Sequence, residues 1–469
     1  MRALLLLLTL PIACQVPKAQ TRPHIILVMS DDQGWGETGY RRHPHLKTPN
    51  LDAMAANGLR LDHFYAGSPL CSPTRASVLT GRNNDRTGVL VVGQAMRPQE
   101  ATLAQALRAA GYATAHFGKW HLNGFKGPGV PVLATDPRHP GHFGYDHWLA
   151  TTNFFDQNPL LSRNGTFETF TGNPSEIVIR EALRFIDSAR RSDRPLFLTI
   201  WFGSPHQPWI ASPEDRKPYQ HLDSLSQHHY GEISEMDRSI GQLRNGLRKW
   251  GIADNTLIWF NSDNGGVKPF APDVNGGLRG FKGDVYEGGL RVPCIIEWPA
   301  QIRTPRVSNF PAVTMDIFPT LTHIAGLPKP NPNYPMDGTD IRSALISDTP
   351  SRQKPIPFRY QGRAAWVEYP YKLVTRNYRN GRFELYNLQN DPQESIDIST
   401  REPVTTQRLI NAFQAWSLSV DRSHAGHDYP DGLHHPDPPA SAWFDSPEYA
   451  PFFEMLRKRP EYKNVSSQE

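Results

Sequence analysis

The sequence predicts an α/β protein with a large, mostly parallel central sheet flanked by helices, followed by a smaller C-terminal α+β unit with an antiparallel sheet. Three observations carry that expectation. Several short runs are apolar and β-branched without alternation, the pattern of strands buried on both faces. Helical segments lie between those runs, and the alternation of the two is the signature of a doubly wound sheet. After a loop-like stretch at residues 328–351 the pattern changes to strands followed by one helix. The chain is therefore expected to divide into a leader at 1–19, a large α/β domain at 20–345 and a C-terminal subdomain with a loop-rich tail at 346–469.

Length and charge narrow the classes. At 469 residues there is room for more than one core, and a net charge of +4 from 50 basic and 46 acidic residues leaves no broad footprint for nucleic acid or an anionic membrane. Any affinity for anions must be local. Arg2 is followed by an apolar run at 3–13 that is too short to span a bilayer but suits a secretory signal, so an exported, periplasmic or extracellular protein without a transmembrane segment is expected. Cleavage after Ala19 and acylation at Cys14, which would leave a lipid anchor, both remain open. Cys71 and Cys294 are the other two cysteines, and such disulfide poverty fits a bacterial envelope protein. Cys294 lies in Val292-Pro293-Cys294-Ile295-Ile296 and reads as a buried core thiol.

In chain order, residues 24–30 form the first buried strand, which ends in Asp31-Asp32, and 48–58 read as a helix with Gly58 beyond its end. Residues 103–110 are a second helix stopped by Gly111. The strand at 112–117 then leads to Gly118-Lys119-Trp120-His121, where Lys119 and His121 share a side if the chain stays extended. The Gly-, Pro- and aromatic-rich segment 123–173 reads as loops. A helix at 177–189 precedes a strand at 195–202 and His206, and a helix at 230–250 precedes a strand at 256–260 and Asp263-Asn264. Residues 279–291, with Lys282, read as a flexible basic loop before a strand at 292–298, and 313–325 as a helix. Strands at 364–374 and 382–388 and a helix at 405–418 complete the C-terminal unit. The tail beyond His424 reads as solvated rather than as a metal site of His424, His427, His434 and His435. Singly, each polar cluster has an ordinary explanation as a turn, a cap or a solvated side chain. Four of them following buried strands mark the place where open α/β sheets build their sites.

Cys71 lies near the start of a helical run, a position that favours an anion. The segment Cys71-Ser72-Pro73-Thr74-Arg75, followed by Leu79-Thr80-Gly81-Arg82, resembles the signature of the formylglycine-dependent (type I) sulfatases of the alkaline phosphatase superfamily. The likeness extends to Leu385-Tyr386-Asn387-Leu388-Gln389-Asn390-Asp391-Pro392 near the C-terminus. It implies an alkaline-phosphatase-like sandwich, a Cys71 that a separate maturation enzyme oxidises to formylglycine, and one calcium ion held by Asp31, Asp32, Asp263, Asn264 and the modified Cys71. It also implies that Arg75, Lys119, His121, His206 and Lys282 surround the sulfate of a sulfated saccharide. In that reading a hydroxyl of the hydrated aldehyde attacks sulfur, His206 and Lys282 serve the leaving oxygen, and His121 takes the proton that regenerates the aldehyde. The alternatives are a broad arylsulfatase, a phosphomonoester or phosphonate hydrolase of the same superfamily, and an inactive carbohydrate-binding relative.

Overall fold

The computed structural model describes residues 22–328, 334–347, 351–434 and 437–463; the expected leader, with Cys14, and His435 lie outside them. Residues 25–30 of β1 (His24–Ser30) are all buried. The chain continues through α1 (Pro49–Asn57), β2 (Leu59–Leu61), α2 (Cys71–Thr80), α3 (Leu103–Ala109), β3 (Ala113–Lys119) and β4 (His147–Thr151). A hairpin of β5 (Leu160–Arg163) and β6 (Thr166–Thr169) is followed by α4 (Pro174–Ala189), β7 (Leu196–Trp201), α5 (Ser224–Lys249) and β8 (Thr256–Ser262). Then come β9 (Cys294–Glu297), β10 (Arg306–Ser308) and α6 (Ile317–Ile324). These strands make one ten-stranded sheet in the order β10-β2-β9-β8-β1-β7-β3-β4-β5-β6, of which β8-β1-β7-β3-β4 is a continuous parallel block.

The unbroken apolar character of β1 has a direct cause in the layers around it. Ile25, Leu27 and Met29 join the core under α2, α3 and α6, whereas Ile26 and Val28 join the core under α1, α4 and α5. Helices thus cover both faces, as a parallel sheet requires. Gly58 ends α1 in extended backbone rather than the left-handed turn expected of a stop glycine. Its role is space, because a Cβ there would stand 2.4 Å from the Ile296 carbonyl oxygen.

A second, antiparallel sheet runs in sequence order through β11 (Ile356–Tyr360), β12 (Arg363–Glu368), β13 (Tyr371–Thr375) and β14 (Phe383–Asn387). Its alternation is two-sided. Ala365 and Val367 face Tyr65, Val285, Tyr286 and Leu290 of the large unit, and Ala364 and Trp366 face Leu409 and Phe413 of α7 (Pro403–His424). The fully buried ammonium of Lys372 bridges Glu287 and Glu394, each at 2.9 Å, and so ties this sheet to the segment that carries Lys282.

Five expectations need correction. The segment 123–173 is not all loop, because it contributes β4, β5 and β6 to the large sheet. The strand expected at 364–374 is two strands, since the chain turns at Tyr369-Pro370, and β11 before it is an additional strand. Residues 279–291 are fastened by backbone hydrogen bonds from Lys282 N to Gly266 O and from Gly288 N to Arg279 O, and they contain a buried helical turn at Glu287–Leu290. The helix expected at 313–325 starts at Ile317, after a 3-10 turn. The tail is packed rather than solvated: Trp443, Tyr449, Leu456 and Tyr462 form a core with Val130, Leu133 and Leu160. Among the described residues its histidines form no group of three metal-ligating side chains. Cys294 is a buried free thiol, as expected.

Candidate active site

The site is a consequence of register. Ser30 of β1 pairs with Ser262 of β8, Met29 with Trp201 of β7, and Trp201 with Gly118 of β3. Four adjacent parallel strands therefore end nearly in line, about 14 Å across three inter-strand steps. Immediately beyond those ends lie Asp31 and Asp32, Asp263 and Asn264, His206, and Lys119 with His121. Lys119 is the last residue of its strand, but His121 adopts φ +57, so the chain does not stay extended between them. The expected shared side does not arise from strand alternation; a left-handed residue turns His121 into the site.

Cys71 is the first residue of α2 and is 1 % exposed, with Leu70 before it in extended backbone. The free N–H groups of that first turn carry the positive end of the helix dipole. Burial nevertheless raises the thiol pKa, and Lys119 and Lys282 offset this only in part. An unmodified sulfur here is held as a poorly nucleophilic thiol. Arg75, one turn on, is fully buried with Nη2 at 2.8 Å from Asp263 Oδ2 and 3.4 Å from Asp31 Oδ2.

Three carboxylates face three cations in this space. Lys119 Nζ is 2.5 Å from Asp31 Oδ2, and Lys282 Nζ is 2.6 Å from Asp32 Oδ1. Burial opposes ionisation of Asp31, but Lys119, His206, Arg75 and Lys282 overcome it and hold that carboxylate well below its ordinary range. Asp263 goes the other way: burial and the neighbouring Asp31 push it up to about 7. The Asp32 N–H donates to Asp263 Oδ1 at 3.0 Å, and Asn264 Nδ2 donates to Asp32 Oδ1 at 2.8 Å. Asp31 Oδ1 and Asn264 Oδ1 are buried without a hydrogen-bond partner. Uncompensated oxygen acceptors among carboxylates that cannot all ionise together fit a hard divalent cation. One ligand atom each from Asp31, Asp32 and His206 lie within 4.8 Å of one another. The resemblance to the sulfatases instead implies His206 at the sulfate.

The two histidines differ. His121 is buried with both ring nitrogens unpartnered, and burial, then Lys119 and Arg75, hold it neutral. His206 Nδ1 donates to the Gln207 carbonyl at 2.6 Å, which leaves Nε2 toward Asp32 Oδ2 at 3.8 Å. Burial and Lys282 lower its pKa to about 4. Phe154 stacks on His206 with ring centroids 4.8 Å apart and the planes 16° off parallel. Neither Phe154 nor Tyr360 stood out in the sequence. Burial raises the phenol pKa of Tyr360, which reaches toward Cys71 and Lys282 from the C-terminal sheet, and its sequence signal is the Gln361-Gly362 turn that follows it.

The similarities of the chain agree with this chemistry. A family model described as Sulfatase matches residues 23–327, and one described as N-sulphoglucosamine sulphohydrolase, C-terminal, matches residues 281–413. N-acetylgalactosamine-6-sulfatase of Sus scrofa is 33% identical over 389 residues, covering 74% of this chain and 70% of that protein. Arylsulfatase A of Homo sapiens is 32% identical over 397 residues, covering 76% and 73%. The crystal structure of Ps i-CgsB in complex with k-i-k-neocarrahexaose superposes with a TM-score of 0.77 at 27% identity, over 84% of this chain and 93% of that one. Phosphonate monoester hydrolase of Agrobacterium radiobacter shares the fold alone, with a TM-score of 0.59 at 20% identity over 86% of this chain and 96% of that one. A family match spanning the whole parallel block and its strand-end cluster, with relatives a third identical over most of their length, makes this chain a sulfuric ester hydrolase: it belongs to the sulfatase family of the alkaline phosphatase superfamily.

Proposed function

We propose that the protein removes sulfate from a saccharide, using Cys71 after its oxidation to formylglycine by a maturation enzyme and one calcium ion held by Asp31, Asp32, Asp263, Asn264 and residue 71. The observation that carries the proposal is the gathering of Arg75, Lys119 and Lys282 at the strand-end carboxylates, with Lys119 and Lys282 acting on Cys71 at the buried start of α2 and the unpartnered His121 beside Lys119 and Arg75. When present, the hydrated aldehyde supplies a hydroxyl nucleophile and calcium supplies positive charge beside the ester oxygens. The rest is done by the chain's own groups. Arg75 and Lys119 sit at the carboxylates that flank Cys71 and offer N–H donors to an oxyanion, which a sulfate monoester presents. Asp32 holds Lys282 charged against the effect of burial, so its ammonium can protonate the departing oxygen, and His206 Nε2, on the same side of Asp32, shares that role in the state in which it carries the proton. His121, neutral and without a competing partner, is the group able to accept a proton beside residue 71.

The saccharide assignment draws on the names of the relatives and on the rings of Phe154 and Trp209 beside the His206 loop, which suit stacking against a sugar. Remote sugar contacts lower the transition-state barrier only for substrates that possess them. A panel of sulfated oligosaccharides is therefore expected to be desulfated with kcat/KM at least tenfold above that of a small aryl sulfate. Efficient cleavage of the aryl sulfate with no release of sulfate from any saccharide would reverse the assignment.

A further inference from the structure

Lys282 reaches the site from a segment whose backbone is fixed on one side by the Lys282 N–H bond to Gly266 O at 3.0 Å. Gly283, the next residue, has φ +89, and nothing lies within 4 Å of the position a Cβ would take. Packing therefore does not set the backbone there. Two hydrogen bonds do. The Gly283 N–H donates to Pro69 O at 3.0 Å, on the approach to Cys71, and the Gly283 carbonyl accepts from Arg363 Nη1 at 2.5 Å.

Arg363 belongs to the C-terminal sheet, at the tip of the hairpin between β11 and β12. Gln361 and Gly362 occupy that tip with φ +45 and +82, the pair of left-handed residues of a tight two-residue turn. Tyr360 and Arg363 are consequently direct cross-strand partners, and the same turn that brings Tyr360 toward Cys71 and Lys282 brings Arg363 to the Gly283 carbonyl. The sheet also grips the ends of the segment. Arg279 Nη1 donates to Tyr386 Oη at 2.9 Å and to Glu394 O at 2.8 Å, and Lys372 pairs with Glu287. Within the segment the Lys282 N–H is held by Gly266 O and the Asp284 N–H by Phe281 O, and the Gly283 carbonyl between them is held by the guanidinium of Arg363. Its nearby ion pair with Asp284, at 3.5 Å between two side chains each 41 % exposed, adds little in water.

We infer that Arg363 is a positioning residue: it holds the Gly283 carbonyl so that the Lys282 ammonium stays against Asp32 and over residue 71, making the C-terminal hairpin part of the catalytic apparatus. The inference rests on the role proposed above for Lys282. A misplacement of about 1 Å in a catalytic group can cost orders of magnitude in rate, so loss of this one hydrogen bond should be visible in kcat.

The test is a double-mutant cycle on the full-length matured enzyme with a sulfate ester that it turns over. Arg363→Ala is expected to lower kcat about tenfold with KM changed less than twofold, and Arg363→Lys, which can still donate to the carbonyl, to recover most of the loss. In a Lys282→Ala background the Arg363→Ala change should cost less than twofold. Arg363 is partly exposed, so the thermal midpoint should hold. An unchanged kcat in Arg363→Ala, an effect confined to KM, or the same tenfold loss in both backgrounds would overturn the inference while leaving Lys282 in its role. A Lys282→Ala variant with undiminished kcat would remove that role and the inference with it.

Discussion

Cys71→Ala is expected to abolish sulfate ester hydrolysis, with kcat reduced at least 10⁴-fold, roughly the scale seen when a covalent nucleophile is deleted. The side chain is buried at the first turn of a helix whose ten residues are all buried, so the protein should remain folded. Truncation at the β-carbon removes only the oxygen of the aldehyde, or the sulfur of an unconverted thiol, which leaves a void smaller than that of a leucine truncation, and the thermal midpoint should fall by only a few degrees. Cys71→Ser should also be inactive where the maturation enzyme does not oxidise serine, because a hydroxyl without a geminal partner can be sulfated but cannot expel the sulfate by elimination. Release of one equivalent of leaving group without turnover, read by a burst measurement on Cys71→Ser, would be consistent with that reasoning. Multiple turnover by Cys71→Ala at the rate of the parent would remove residue 71 from the chemistry.

The second large effect is that of the cation. Without a cation Asp31 and Asn264 keep the buried unpartnered oxygens noted above, and burial and the neighbouring Asp31 hold Asp263 up at about 7. Chelation is therefore expected to eliminate turnover, and calcium to restore it. A readout independent of activity is available: calcium at a hundred times its dissociation constant adds about 2.7 kcal/mol to stability by mass action, which should raise the thermal midpoint measurably. Asp263→Asn should weaken calcium binding at least hundredfold by titration calorimetry and lower kcat by at least 10³-fold. It also leaves Arg75 with Asp31 as its carboxylate partner, at 3.4 Å, beside its bond to the Lys119 carbonyl at 3.3 Å. Because breaking a buried pair can cost about 3–5 kcal/mol, the variant's midpoint must be followed alongside its binding. Full activity and an unchanged calcium response in Asp263→Asn would contradict the ligand set.

The parallel block could be read from the sequence because each of its central strands is buried on both faces. In β1 and β8 that burial produces uninterrupted apolar runs, broken in β7 only by the buried Thr199, and each run gives way to polar residues where the helix layers stop covering the chain. Gly111 and Gly251 could be read for the same local reason, since both take the left-handed backbone that ends a helix. The hairpin of β5 and β6 was hidden by its position at the sheet edge, where Glu168 and Thr169 dilute the apolar pattern. Its turn, Asn164-Gly165 with φ +49 and +97, was the available signal. The tail offered no period because Trp443, Tyr449 and Tyr462 are carried on short 3-10 turns rather than on one helix or strand. At the site, motif reading named the charged groups, but it could not supply the left-handed turn at His121, the stacking of Phe154 or the grip of Arg363. These depend on residues far apart in sequence and on backbone angles that no local pattern encodes.

Everything proposed for the mechanism depends on the chemical state of residue 71. Tryptic mass spectrometry of the peptide containing Cys71, on protein produced together with a maturation enzyme and active on a sulfate ester, measures that state directly. The account predicts an aldehyde in place of the thiol, captured by a hydrazide probe, in proportion to specific activity across preparations. A fully active preparation in which that peptide carries only an unmodified cysteine thiol would contradict it.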